Sequence, residues 1–545
     1  MTIDKIFSFK RIIFLSFIST VLFNSACTKS FEEFNTNQHE ATEEMLSHDN
    51  LKTGSFFTQM QKNVVLFKDG AGDNSNQSSD YQVAQGLTSD LYSGYIAPTG
   101  TWYGGVHNGS YYFITNWVEK TFTSGFSSVM PAWQEIVKIA KEQQQPHVAA
   151  LATVVKVQAM HRVADAYGPI PYINYGSGTL RNNYDGLEDV YTKFFAELDE
   201  SIDVLTNYVQ GNPGATILPK YDLIYGGDAT RWLKFANSLR LRLALRVVYA
   251  NPSLAKREAE KSISNPIGVI TSTNDRTSLK HSANLVYYHP LFEISTTFNA
   301  GEARMGASMD SYMNGYNDPR LAAYFTKATG DGGYHGVRLG IATSVWTKYV
   351  DPTRISTLNM NQSTTEIVWM TAAESYFLRA EGALRGWAMG GTAQDLYESG
   401  IRMSFEENGT SGAATYIANA TNTPKAFTDN ADGSSFNTAA PSTVTVAWNA
   451  SASTEVNLER IITQKWIAMY PDGPEGWAEF RRTGYPKLLP VVVNNSNGTI
   501  NTATQVRRLP FPQSEYNNNN SGVQVGISKL GGPDNGGVKL WWDKK

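Results

Sequence analysis

A helical pattern that begins at Ala149 ends abruptly in the stretch Asp165-Ala166-Tyr167-Gly168-Pro169-Ile170-Pro171-Tyr172. Proline lacks an amide hydrogen and biases the residue before it toward an extended conformation, so no helix continues through this stretch. The sequence therefore predicts a long helix that ends in a sharp, extended turn.

Helical periodicity recurs on both sides of this turn. Apolar residues spaced by three and four positions place one apolar face on each predicted helix. These helices are Phe56 to Phe67, Tyr81 to Ala97, Val129 to Gln143, Leu187 to Val209, Asp228 to Asn251, Ser253 to Ser264, Thr365 to Gly386, Ala393 to Asn408 and Glu455 to Asp472.

The predicted helices follow one another in pairs, and small residues stand at several expected contact points, namely Ala380, Gly382, Ala383 and Gly400. This arrangement favours an all-α, tetratricopeptide-like array, which usually binds other molecules. Because no strict repeat period is visible, a generic all-α domain remains the alternative.

Three stretches interrupt the helical pattern. Residues 98–117 mix glycines with aromatic residues, 265–360 are rich in Gly, Thr, Asn and Asp, and 410–453 are of low complexity. We expect variable, irregular loops there, with short helices around Met309 to Tyr312 and Pro319 to Phe325. The tail from Pro510 is rich in Asn and Gly, and little regular structure is expected in it.

The N-terminus reads as an export signal. A cationic start precedes an apolar run from Ile12 to Phe23, which is too short for a membrane span but suits a signal peptide. Cys27 follows, and it is the only cysteine. We expect a signal peptide over 1–26, lipid attachment at Cys27, a tether over 27–50 and a single helical domain over 51–545.

The overall composition indicates which classes of binding partner to expect. The formal net charge is −4 and the isoelectric point is near 6.1, so nucleic acid is not an expected partner. Aromatic residues make up 12% of the chain, whereas charged residues make up only 18%. This composition suits a protein that presents flat, amphipathic side chains to a ligand.

Catalytic signatures are scarce. The sequence has no P-loop, no G-x-S-x-G elbow and no H-E-x-x-H pattern, so no metal and no cofactor are expected. Glu475 and Glu479 flank Trp477 and could be read as a glycosidase pair. Arg481 and Arg482 follow directly, so a structural cluster of ion pairs is the simpler interpretation.

The aromatic residues in the predicted loops favour ligand binding over catalysis. Sugar rings are commonly bound by a Trp or Tyr surface with polar side chains around it. The candidate ligand-binding residues are Tyr92, Tyr95, Trp102, Tyr103, Asn108 and Tyr111 in one region and Tyr288 and Tyr316 in another. The alternative for each single aromatic residue is a place in the hydrophobic core.

Four segments together resemble the SusD/RagB family of nutrient-binding lipoproteins. They span nearly the whole mature chain, and each one alone would be unspecific. They are Cys27 with Phe31-Glu32-Glu33-Phe34-Asn35, the turn Asp165 to Tyr172, the motif Glu475 to Pro486 after Trp466, and Arg508-Leu509-Pro510-Phe511-Pro512 with Glu515-Tyr516-Asn517.

The resemblance implies a fold and a function. The fold would be all-α, with four tetratricopeptide-like helix pairs in a right-handed superhelical scaffold that carries long irregular loop insertions. The protein would sit in the outer membrane by its lipid, facing the cell exterior, and would pass an oligosaccharide or peptide to a SusC-like, TonB-dependent β-barrel without catalysis. A lipid-anchored glycoside hydrolase or lyase and a protein-only scaffold are the alternatives.

Overall fold

Consecutive helices pack against each other through much of the described chain. The computed structural model describes residues 50–67, 79–100, 102–178, 181–283, 285–298, 301–341, 346–361, 363–433 and 435–545. The signal peptide, Cys27 and nearly all of the tether lie outside these residues. Residues Thr53–Lys545 form one compact unit.

Eleven helices of ten or more residues form the framework within the described ranges. They are α1 (Leu51–Lys62), α2 (Met130–Glu142), α3 (Pro146–Tyr167), α4 (Leu187–Gly211), α5 (Ala229–Arg246), α6 (Pro252–Ser264), α7 (Ala372–Leu384), α8 (Ala393–Glu407), α9 (Thr454–Ala468), α10 (Gly473–Thr483) and α11 (Asn520–Leu530).

Helix α3 lies at the centre of this framework. It packs on both α2 and α4, and most of its residues are buried on every side. It begins with Pro146 in its first turn, where a missing amide hydrogen costs nothing. It ends at Gly168, which has a φ of 89° that suits glycine alone.

Side-chain caps define where several other helices begin. The Asp228 carboxylate accepts hydrogen bonds from the amides of Thr230 and Arg231, both at 3.0 Å, at the start of α5. Such caps satisfy amide groups that a helix leaves unpaired at its N-terminus. Asn251, Thr371, Thr392 and Ser453 cap α6, α7, α8 and α9 in the same way.

Short elements connect the framework helices. Two antiparallel two-stranded sheets occur in the described chain, with β1 (Ile96–Pro98) on β3 (Ala303–Met305) and β2 (Thr277–Leu279) on β4 (Ile367–Met370). Short α-helices are Ser79–Tyr81, Ser89–Tyr92, Lys120–Ser124, Pro290–Thr296, Ala307–Gly315, Leu321–Tyr324, Trp346–Val350, Ala413–Ile417 and Gln513–Asn518. Two π-helical segments cover Gln82–Gly86 and Gly125–Val129.

The structure confirms most of the predicted helices and corrects three predictions. The segment Tyr81 to Ala97 is broken into short pieces, and its end is strand β1. The segment Thr365 to Gly386 begins with β4, and helix α7 starts only at Ala372. The tail after Pro510 is more regular than expected, because it contains Gln513–Asn518 and α11.

Small residues allow α7 and α8 to approach closely. A Cβ atom placed on Gly400 of α8 would lie 2.9 Å from the ring of Phe377 on α7. A Cβ atom on Gly382 would lie 2.7 Å from Met389 in the connection between the two helices. Both glycines were expected at contacts, and the structure confirms them there.

Candidate functional site

An aromatic patch, formed by Trp102, Tyr103, His107 and Trp117, lies in the first irregular region. Trp117 is the centre of the patch. Its ring centroid lies 5.6 Å from those of Trp102 and Tyr103 and 6.2 Å from that of His107, and its plane is steeply inclined to the first two. Edge-to-face geometry of this kind is favourable for aromatic pairs.

The patch is open to solvent on one side. Tyr103 is 62% exposed, whereas Trp102 and Trp117 are half-buried and His107 is buried. The neighbouring Tyr112 is also exposed, at 43%. Aromatic rings that pack against the protein on one side and are exposed on the other provide a flat apolar surface, which suits ligand contact.

The backbone presents Tyr103 in an unusual conformation. Tyr103 has a φ of 52°, and Gly104 and Gly105 follow with φ values of 66° and 84°. A left-handed conformation is uncommon for a bulky residue, and such strain concentrates at functional sites. The two glycines accept the turn without strain and leave the Tyr103 ring projecting into solvent.

A buried carboxylate orients Trp102. The indole Nε1 of Trp102 donates a hydrogen bond to Glu302 Oε1 at 3.1 Å, and Gln82 Nε2 donates to Glu302 Oε2 at 2.7 Å. Glu302 precedes strand β3, and its carbonyl accepts a hydrogen bond from the amide of Thr99 at 3.0 Å. The small β1–β3 sheet therefore ties the aromatic patch to a rigid base.

His107 supports the patch without charging it. Its Nδ1 accepts a hydrogen bond from the amide of Gly109 at 3.0 Å, and its side chain lies 5.3 Å from Trp102, centroid to centroid. Burial lowers the pKa of His107 to about 4. The imidazole is therefore neutral at neutral pH, and the rings of the patch form an uncharged surface.

Five of the residues suggested by the sequence are buried in the interior of the protein. Tyr92 donates to the carbonyl of Asn108 at 3.1 Å, and Tyr95 donates to that of Trp466 at 2.6 Å. The Asn108 side chain is itself fully buried and accepts from the amide of Ile114 at 2.9 Å. Tyr111 and Tyr316 are likewise buried.

Three suggested residues keep accessible surface. Trp102 and Tyr103 belong to the patch, whereas Tyr288 is half-buried in a different segment. No ring contact joins Tyr288 to the patch among the described residues. Its role in binding remains a prediction.

Sequence reasoning missed the residues that support the patch from behind. Glu302 is far from Trp102 in sequence, and the β1–β3 pairing brings its segment close to that of Trp102. Gln82, which precedes β1, reaches the same carboxylate. His107 lies within the aromatic stretch, but a single histidine carries no signal of its role.

Glu475 and Glu479, the pair that could be read as catalytic, lie in a cluster of buried ion pairs. Arg246 contacts Glu475 at 2.6 Å and Glu479 at 3.1 Å, and Lys465 contacts Glu479 at 3.3 Å. Burial alone would raise the pKa of Glu475, but the guanidinium groups of Arg246 and Arg242 hold it well below its ordinary value. A carboxylate held ionised in this way cannot serve as a general acid.

Within the described ranges, no cluster of three or more His, Cys, Asp or Glu side chains has the arrangement of a metal site. None of the helices that the structure describes is long and apolar enough to cross a membrane.

Comparison with known proteins places the chain in a family. The family model for "SusD-like: Susd and RagB outer membrane lipoprotein" matches residues 33–543. A comparison with curated proteins finds no match.

Solved structures agree with the family model. A chitin-binding SusD homolog from Flavobacterium johnsoniae is 43% identical, with a TM-score of 0.85 over 90% of this chain and 98% of its own. SusD homologs from Bacteroides uniformis and Bacteroides vulgatus are 36% and 34% identical, with TM-scores of 0.83 and 0.84. Each match covers 91% of this chain, and 99% and 98% of the respective homolog. The chain therefore belongs to the SusD-like family of outer-membrane lipoproteins.

Proposed function

We propose that this protein is a cell-surface lipoprotein that binds a neutral oligosaccharide on its aromatic patch and does no chemistry on it. The observation that carries the proposal is the patch itself, in which the exposed Tyr103 ring stands beside Trp102 and Trp117. Sugar rings carry apolar C–H faces that pack well on aromatic surfaces.

Chitin fragments are the proposed ligand class. The relative from Flavobacterium johnsoniae, which is described as chitin-binding, is similar over nearly its whole length. Chitin is an uncharged polymer of N-acetylglucosamine, and the neutral His107 leaves the rings of the patch without a charge that would select an acidic sugar. Peptides, the other ligand class expected from the sequence, serve as the competing outcome.

The proposal also covers how the protein is anchored to the membrane and where the bound oligosaccharide goes. Lipid on Cys27 would hold the protein at the outer membrane, on the exterior side, and a SusC-like TonB-dependent barrel would receive the bound oligosaccharide. Family membership supports this assignment, since the family is one of outer-membrane lipoproteins. Acyl chains on one cysteine supply the membrane affinity that a chain with a polar tether otherwise lacks.

Titration calorimetry of the soluble form without the lipid anchor, Thr28–Lys545, with chitohexaose, cellohexaose and a peptide mixture tests this proposal. We expect saturable binding of chitohexaose, and mass spectrometry of the mixture should recover the hexamer intact. Cleavage of the hexamer would contradict the non-catalytic assignment. Binding of the peptides alone would contradict the glycan assignment.

A further inference from the structure

A concave surface lies near the C-terminus of the described chain, and we call it the C-terminal groove. It has a volume of about 420 Å³, which is within the range of ligand pockets. Its apolar part includes Leu187, Leu530 and Trp541, and its lysines are Lys529, Lys539 and Lys544. None of its lining residues belongs to the aromatic patch.

The groove carries an excess of positive charge. All three lysines are exposed, and the single carboxylate in the lining is Asp543. Asp543 is buried, and it accepts a hydrogen bond from Arg507 Nε at 2.7 Å, so its charge is already neutralised. Asp189 lies 3.8 Å from Lys529, but its side chain is largely in solvent, where such a pair contributes little. Lys539 Nζ donates a hydrogen bond to the carbonyl oxygen of Lys545, which is also exposed.

The apolar residues at the base of the groove are held in place by packing and by regular structure. Trp541 is half-buried, and its ring centroid lies 6.2 Å from that of Tyr191 on α4. Leu530 ends helix α11 and Leu187 begins helix α4, so both are fixed by regular structure. A large apolar side chain that enters the groove would bury surface against all three.

The lining chemistry distinguishes between two classes of anionic ligand. The described lining residues include no amide and no hydroxyl side chain, so few side chains other than the lysines can hydrogen-bond the hydroxyl groups of a sugar. An acidic protein segment does not need them, because lysines at a rim pair with its carboxylates and an apolar floor takes a hydrophobic anchor. The groove therefore fits a peptide better than a charged glycan.

We propose that the C-terminal groove docks a protein segment that combines acidic residues with a large apolar side chain. This surface is separate from glycan capture, so the two activities are independent. The occupant is defined by charge complementarity with the three lysines and by the apolar floor around Trp541.

Phage display of random 12-residue peptides on the immobilised mature chain tests the proposal. The test variant combines Lys529→Gln, Lys539→Gln and Lys544→Gln. The control variant combines Lys138→Gln, Lys141→Gln and Lys256→Gln, which removes the same charge from exposed helix positions. Thermal melting and chitohexaose titration check that both variants remain folded.

We expect enriched peptides with at least two acidic residues and one Trp, Phe or Leu, and their synthetic forms should bind the test variant at least tenfold more weakly than the control. Trp541→Ala should weaken the same peptides. Equal binding to the test and control variants, or no enrichment, would overturn the proposal. Lysine-dependent binding of polygalacturonate oligosaccharides with no peptide binding would also overturn it.

Discussion

At the scale of single residues, Arg246 shows how a buried charge is tolerated. It is fully buried on α5, and its guanidinium contacts Asp165 at 3.1 Å, Glu475 at 2.6 Å and Glu479 at 3.1 Å. These carboxylates belong to α3 and α10, so one side chain connects three helices. Removing it would leave the carboxylates buried without that partner, which is costly.

We predict that Arg246→Ala lowers the free energy of unfolding by roughly 3–5 kcal/mol. Arg402→Ala is the control, because Arg402 is exposed and pairs with Glu398 four residues earlier, at 2.8 Å. A surface pair of this kind contributes about 0.3–0.5 kcal/mol. Urea denaturation followed by circular dichroism measures both values, and similar losses in the two variants would contradict the structural role of Arg246.

Asp90 gives the protein a pH dependence. Burial raises the pKa of its carboxyl group to about 7, although hydrogen bonds from Tyr81 at 2.9 Å and Gln85 at 3.1 Å act in the opposite direction. Asp472 also faces it, and Arg162 pairs with Asp472 at 3.2 Å. In the unfolded chain this carboxyl group has a pKa of about 3.9.

The sign of the effect follows from these two pKa values. Between pH 4 and 7 the unfolded chain loses a proton that the folded chain keeps, so the contribution of Asp90 to stability falls as the pH rises. We predict that Asp90→Asn removes this decline, so that its stability relative to the native protein improves by up to about 4 kcal/mol from pH 4 to pH 8. Urea denaturation at four pH values measures the difference, and a difference that stays constant would contradict the raised pKa.

Candidate binding residues could be chosen from the sequence by residue type, but whether each one is exposed or buried could not be predicted. The sequence marked Tyr92 and Tyr95 together with Tyr103 as candidate ligand contacts, yet two of the three are core residues. Tyrosine suits both places, because its ring packs in the interior while its hydroxyl needs only one partner. The carbonyls of Asn108 and Trp466 supply that partner from remote parts of the chain.

At the scale of elements, close helix packing depends on single glycines. In the pair α7 and α8, Gly400 lies against the ring of Phe377, with only 2.9 Å left for a Cβ atom. Extra atoms in a packed contact force neighbouring side chains or helices apart. The contact between α7 and α8 therefore leaves little space for a larger side chain at position 400.

We predict that Gly400→Leu destabilises the protein by about 1–3 kcal/mol, even though leucine favours a helix. Gln394→Leu on the exposed face of α8 is the control and should change stability by less than about 0.5 kcal/mol. Differential scanning calorimetry compares the two. A neutral Gly400→Leu would show that the helices can separate freely at this contact.

Helices whose sequences show strong apolar periodicity were predictable, and those stabilised by tertiary contacts were not. Helix α11 contains Gly522 and Gly526, which weaken a helix locally. Both glycines lie where a side chain would collide, Gly522 with the carbonyl of Asn182 at 2.5 Å and Gly526 with Tyr184 at 2.9 Å. Packing therefore favours a helix that local propensity disfavours, and strand β4 likewise depends on its remote partner β2.

At the scale of the whole molecule, the helical framework stabilises the fold, and the aromatic patch is the proposed binding surface. The family motif Asp165 to Tyr172 lies at the end of α3, where the Asp165 carboxylate accepts hydrogen bonds from Arg246 and from Tyr191, the latter at 2.5 Å. These contacts hold helices together and involve no residue of the aromatic patch. The family could therefore be recognised from its architectural motifs, whereas the proposed ligand surface could be chosen only from the structure.

The central claim is that the aromatic patch binds the oligosaccharide, and the affinity of chitohexaose for Tyr103→Ala, measured by titration calorimetry, tests it most directly. We predict a loss of at least tenfold, since an aromatic side chain that packs on a ligand as a main contact contributes about 1.4 kcal/mol or more. Tyr103→Phe should retain most of the affinity, and Tyr208→Ala, which removes a half-buried ring on α4, should match the native protein. Native affinity in Tyr103→Ala would contradict the assignment of the patch as the binding site.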